Sequence, residues 1–166
     1  MHFFAYCVGA RALFWFFLAA VGFAPNSFPS IETGSSFAAL SINVSLVFLF
    51  ALQHTVMARK SFKQKWIRII PEHLERATFV LLAGLFMALI LWYWQPLPGV
   101  VWSIDNAYAR LAVQCLAIVG VTYVIVTTLV ANHFELLGIR QAWLYATGKP
   151  YTPLEFKRQW VYKYSR

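Results

Sequence analysis

The residues best equipped for chemistry lie where long apolar runs end. One stretch is Asn132 to Gln141, reading Asn-His-Phe-Glu-Leu-Leu-Gly-Ile-Arg-Gln, and the other is Gln53-His54. Each places an amide beside an imidazole. Histidine is the side chain suited to moving a proton near neutral pH. His133 and Leu137 share a helix face, and Arg140 would project from nearly the same side if the helix continued. Arg140 is a permanent cation able to grip a carboxylate with two parallel hydrogen bonds. Gly138 removes a side chain where something could approach the backbone. Downstream, Lys149-Pro150-Tyr151-Thr152-Pro153 breaks the helix and leads to Trp160, Tyr162 and Tyr164. Rings set among cations can hold a sulfonium or ammonium by its charge. The plainer reading of all these residues is the polar collar of helix ends at a membrane interface.

The elements that must position them are membrane helices. The chain has 166 residues, 60% hydrophobic and 12% charged, where a soluble domain carries about 25% charged residues. That is too little polar surface to cover a globule. The expected fold is all-α: one polytopic transmembrane domain over 1–166, with spans near 3–23, 37–54, 77–94 and 111–130. Such runs are of the order of the ~20 residues that cross a bilayer. The net charge of +8 is not a nucleic-acid surface, because it lies in short segments between spans. The basic segments 58–76 and 131–166 each carry +4 and follow the second and fourth spans. Lysine and arginine mark the cytoplasmic side, so both termini are expected there. His54 and His133 then belong to one interface.

Local features fill in this outline. Phe62, Trp66, Ile69 and Ile70 recur at helical intervals among basic residues, as in an amphipathic helix lying on an anionic membrane face. Pro71, Glu72 and Glu75 suit the start of the third helix, which explains the acids beside His73 more simply than a metal cluster does. Trp92, Tyr93, Trp94 and Trp102 form an aromatic belt at the far interface. Arg11, inside the first span, is expected to snorkel rather than meet a partner in the bundle. Cys7 and Cys115 read as buried small hydrophobes, not a disulfide.

Several stretches together resemble the methanethiol S-methyltransferase family. They are Leu52-Gln53-His54-Thr55-Val56-Met57-Ala58-Arg59, Pro71 with Glu75-Arg76-Ala77-Thr78, Pro96-Leu97-Pro98-Gly99-Val100-Val101-Trp102, Asn132 to Gln141, and Lys149 to Pro153. More distantly, that family resembles NnrU-type proteins and the isoprenylcysteine carboxyl methyltransferases. The resemblance implies methyl transfer from S-adenosyl-L-methionine to methanethiol, giving dimethyl sulfide, in a bacterial inner membrane with the active face cytoplasmic. For that chemistry, residue type and a shared membrane face suggest His133, then His54, for thiol deprotonation, and Arg140 to favour the thiolate. Tyr151, Tyr162 and Arg166 are expected to meet the co-substrate. In the family the segment matching Leu154 to Arg166 leads into an Arg-His-Pro motif and further helices that form most of the co-substrate site. Arg166 would be the arginine of that motif. The expectation is therefore an N-terminal portion, truncated, binding S-adenosylmethionine weakly and inactive alone. The alternative is a non-catalytic NnrU-like membrane protein or enzyme remnant. A haem anchor using His54 and His133 is a weaker third reading.

Overall fold

The computed structural model describes residues 2–20, 35–99, 103–130 and 132–152. They form seven α-helices: α1 (His2–Ala20), α2 (Ser36–Ala58), α3 (Lys60–Trp66), α4 (Glu75–Tyr93), α5 (Ala107–Val130), α6 (His133–Leu136) and α7 (Ile139–Ala146). A 3-10 turn, Glu72–Leu74, leads into α4. Among the described residues α1, α2, α4 and α5 are long and apolar enough to cross a membrane. This is an integral membrane protein of the expected all-α class. Most of its large apolar side chains point outward, and no residue of α5 is buried. That inversion of the soluble pattern suits a lipid solvent. The β-branched half of α5 is helical because lipid offers its backbone no other partner. Thr122, Thr127 and Thr128 turn their hydroxyls onto carbonyls of their own helix.

The bundle is organised around α4. On α1 and α4, His2 meets His73, just before α4, and Gly9 meets Gly84, so these two spans run the same way. A Cβ added to Gly84 would lie 2.7 Å from Gly9 Cα and 3.0 Å from its backbone nitrogen. Glycine at both positions lets the helices touch backbone to backbone, a packing mode that replaces the missing hydrophobic drive in lipid. Ala5, Ala12 and Ala77 continue the small-residue core. Helix α2 runs opposite to α4: Asn43 meets Gln95 at one end and His54 meets Phe79 at the other. The Asn43 amide accepts from the Gln95 backbone N–H at 2.8 Å and donates to the Gln95 carbonyl at 2.8 Å. Asn43 thereby fixes the segment leaving α4, and the Gln95 side chain donates to the Tyr93 carbonyl at the helix end, 2.8 Å away.

The basic segment is more broken than its spacing suggested. Helix α3 ends at Trp66, with Phe62 stacked on it, and Ile69 and Ile70 lie beyond the helix in a turn. Lys63 pairs with Glu75 at 3.5 Å, tying α3 to the start of α4. Pro71 stands ahead of the 3-10 turn and not within the α-helix. Arg11 is exposed on α1. Cys7 and Cys115 are free and exposed, not buried. They sit on outward faces, where a bilayer accepts a weakly polar thiol as readily as a core does. Trp92, Tyr93 and Trp94 are exposed as a belt requires, and Trp102 falls outside the described residues.

The Gly9–Gly84 contact gives a direct test. Gly84→Val should force α1 away from α4 and cost about 2 kcal/mol or more by overpacking, read as a lower unfolding temperature in detergent. Gly120→Ala, where a Cβ meets nothing within 4 Å, should leave that temperature unchanged.

Candidate active site

The stretch Asn132–Gln141 is two short helices separated by a break. Asn132 has φ of 72°, a left-handed conformation that asparagine tolerates better than most residues. Its side chain accepts from the Glu135 N–H at 3.4 Å and so caps α6. Gly138 has φ of 79° and opens α7. A Cβ there would lie 3.2 Å from the backbone nitrogen of Ala77 and 3.2 Å from Arg76 Cγ. Glycine is therefore required twice, by its backbone angle and by the start of α4 pressed against it. The continuous helix that would have aligned Arg140 with His133 does not form.

Arg140 instead faces Glu135. Its Nη1 donates to Glu135 Oε2 at 2.9 Å and to the Thr152 carbonyl at 2.9 Å. Gln141, buried, donates to Glu135 Oε1 at 3.1 Å, and the Tyr151 hydroxyl donates to the same oxygen. The Arg140 guanidinium also lies 5.6 Å from the centre of the Tyr151 ring. One carboxylate thus gathers α6, α7 and the 149–152 segment. Burial, and then the hydrogen bond to Glu135, raise the Tyr151 phenol above its ordinary value of about 10. Near neutral pH it is a proton donor, not a base. Glu135 was legible only as part of the Asn132–Gln141 stretch, since nothing in its spacing shows three donors converging on it.

The two histidines meet across a cavity. His133 holds Thr128 Oγ1 at 3.2 Å through Nδ1 and stands edge-on to Tyr6. His54 lies between Phe50, stacked on it at 5.5 Å, and Phe79, tilted against it at 5.1 Å. Both line one cavity of about 770 Å³ between α5 and the α1–α2–α4 group. The neighbouring amides do not serve these imidazoles. Gln53 donates to Met57 Sδ, and Asn132 caps its own helix. A second histidine group lies nearby and was not singled out as a unit by the sequence. His73 stacks on Tyr145 at 3.7 Å and His2 lies 5.7 Å from His73, which packs α7 against the entrance of α4. Tyr162 and Arg166 lie outside the described residues.

Comparison with known proteins agrees with a methyl-transfer reading. A methanethiol S-methyltransferase of Crocosphaera subtropica is 44% identical over 87% of this chain and 56% of its own length. Methanethiol S-methyltransferase 1 of Bradyrhizobium diazoefficiens is 37% identical over 99% of this chain and 60% of its own. The chain is related to the methanethiol S-methyltransferases. It spans somewhat over half the length of these relatives. Nurim of Xenopus laevis is a more distant match, 27% identical over 66% of the chain. No family model and no solved structure matches the chain. The resemblance to the methanethiol S-methyltransferases read from the motifs is borne out, and relatives so named imply a methyl donor.

The carboxylate cluster can be tested without catalysis. Glu135→Ala leaves the Arg140 and Gln141 donors without their acceptor and should cost about 1–3 kcal/mol, seen as a lower unfolding temperature. Tyr151→Phe should cost less. Because the folded phenol is raised, its contribution is complete below the unfolded value of about 10 and is lost as pH rises through the folded value. The ultraviolet titration should show one phenol ionising later than in Tyr151→Phe.

Proposed function

We propose that this chain forms the thiol-handling part of a methyltransferase that converts methanethiol to dimethyl sulfide with S-adenosylmethionine. The observation that carries the reading is the placement of His133 and His54 on one apolar cavity beside the Glu135 cluster. The neutral thiol is a poor nucleophile, so its proton must leave. The Thr128 hydroxyl gives its proton to the Ile125 carbonyl, so His133 donates to it through Nδ1 and keeps Nε2 as the acceptor for the thiol proton. His54 is the second candidate. The thiolate sulfur then bonds to the methyl carbon as the sulfonium–carbon bond breaks, leaving S-adenosylhomocysteine. A small apolar thiol partitions into lipid and reaches the cavity from the bilayer. An apolar wall excludes the water that would solvate the thiolate.

The cluster suits a cationic co-substrate. An unbalanced arginine would repel a sulfonium, but Glu135 balances Arg140 at 2.9 Å. The exposed Tyr151 ring beside them is a surface on which such a cation can rest. Remaining N–H groups of Arg140 are suited to the amino-acid carboxylate of the same molecule. We assign Tyr162 and Arg166 to that side on sequence grounds alone. The basic segments after α2 and α5 support a cytoplasmic active face, both termini inside, in a bacterial inner membrane.

The test replaces the matched portion of the Crocosphaera subtropica relative with this chain and measures dimethyl sulfide formed from methanethiol and S-adenosylmethionine in membranes. The chimera should be active, and His133→Ala should lower its kcat/KM roughly a hundredfold, the lower end of general-base effects. A chimera that inserts normally but makes no dimethyl sulfide would favour the non-catalytic alternative.

A further inference from the structure

The cavity is far larger than the proposed substrate. Methanethiol has two heavy atoms and occupies roughly twice the ~30 Å³ share of a water molecule. The cavity holds about 770 Å³. It is also long. On α5 it is lined from Ile118 to Thr128, and on α1 from Tyr6 to Leu18. At ~1.5 Å rise per residue these stretches run about 15 to 18 Å. The chemistry of its two ends differs. Thr128, His133 and His54 stand at one, and Phe17, Leu18 and Ile118 at the other.

The slot is half open, and in a bilayer an open apolar slot is occupied by hydrocarbon rather than left empty. Water is a poor occupant, because an ordered water needs two to four polar partners and most of this wall is hydrocarbon. The occupant should be a hydrocarbon chain bearing one small, weakly polar head. A phospholipid fits less well: among the described residues no lysine, arginine, aspartate or glutamate lines the cavity, so its phosphate would find no counter-charge there. A thiol needs none. It requires only a proton acceptor, which the imidazole end supplies.

We infer that the cavity takes the alkyl chain of thiols much longer than methanethiol, with sulfur at the His133 end and the chain running between α1 and α5 toward Leu18. This rests on the methyltransferase reading and extends it to a substrate class, long-chain alkyl thiols. With C–C bonds of ~1.5 Å in zigzag, a chain of about ten carbons reaches along most of the slot's length. Lipid tails are as apolar as the wall, so selection comes from shape and from the polar end, not from hydrophobic transfer.

The test uses the whole chain in phosphatidylcholine nanodiscs and a ten-carbon thiol carrying a diazirine at the far end of its chain. After illumination, peptide mapping should place the label near Leu18 and Ile118. Excess 1-decanethiol should remove it, and excess didecanoyl phosphatidylcholine should not. Ala83→Phe, which sets a ring in the slot from α4, should reduce labelling roughly tenfold, the equivalent of a modest steric penalty. If that variant fails to fold, Ala10→Phe obstructs the slot from α1. Label spread evenly over outward residues such as Leu111 and Leu116, or equal competition by the phospholipid, overturns the inference. Labelling requires no methyl transfer, so its failure is distinguishable from that of the enzymatic reading. A chimera active on methanethiol whose parent chain shows no slot labelling would overturn this inference alone.

Discussion

The contact on which the rest depends is the approach of Gly9 to Gly84. It holds α1 and α4 backbone to backbone at Gly84, with Val80 of α4 packed onto Gly9. In a bilayer, helices gain little from burying apolar surface against each other, so close backbone packing must hold them. Once α1 and α4 are fixed, α2 is placed by the Asn43–Gln95 pair at one end and the His54–Phe79 contact at the other. Helix α5 has no comparable seam and leaves a cavity along α1. The same small residues that bind two helices tightly thus leave room for a ligand beside a third.

At the interface, tightness comes from charge and geometry. The left-handed turns at Asn132 and Gly138 fold the chain back so that one carboxylate, Glu135, receives Arg140, Gln141 and Tyr151. Gly138 seats the break against Ala77 and Arg76, which couples this cluster to the α4 helix that positions His54. Polar residues at a helix exit would be an unremarkable collar if each faced water separately. Here they converge, and the converged group is electrically balanced next to an apolar cavity bearing two imidazoles.

Much of this was legible in the sequence. Four apolar runs gave four helices, because in lipid the backbone has almost no alternative. His54 and His133 were placed on one interface by charge alternation alone, and they line one cavity. The motifs also identified the relatives correctly. What escaped was what depends on tertiary approach. Glu135 looked like one more polar residue, since its partners come from two other segments, α7 and 149–152. Arg140 was expected beside His133 because helical periodicity continues on paper through Gly138. It fails in space, where α4 presses on that glycine. Asn43 and Gln95 gave no signal, being single amides in different segments. Cys7 and Cys115 were misplaced because an apolar sequence in a membrane does not say which face is inward.

The account's central claim is that His133 and His54 form the thiol end of a methyl-transfer site while His2 and His73 are structural. The chain has four histidines, so the claim can be read from their side-chain nitrogen resonances in 15N-histidine-labelled protein titrated with methanethiol. The account predicts that the His133 signal moves most, that of His54 moves less, and those of His2 and His73 stay in place, with His133→Gln identifying the first. Titration that shifts no imidazole, or shifts only His2 and His73, would contradict it.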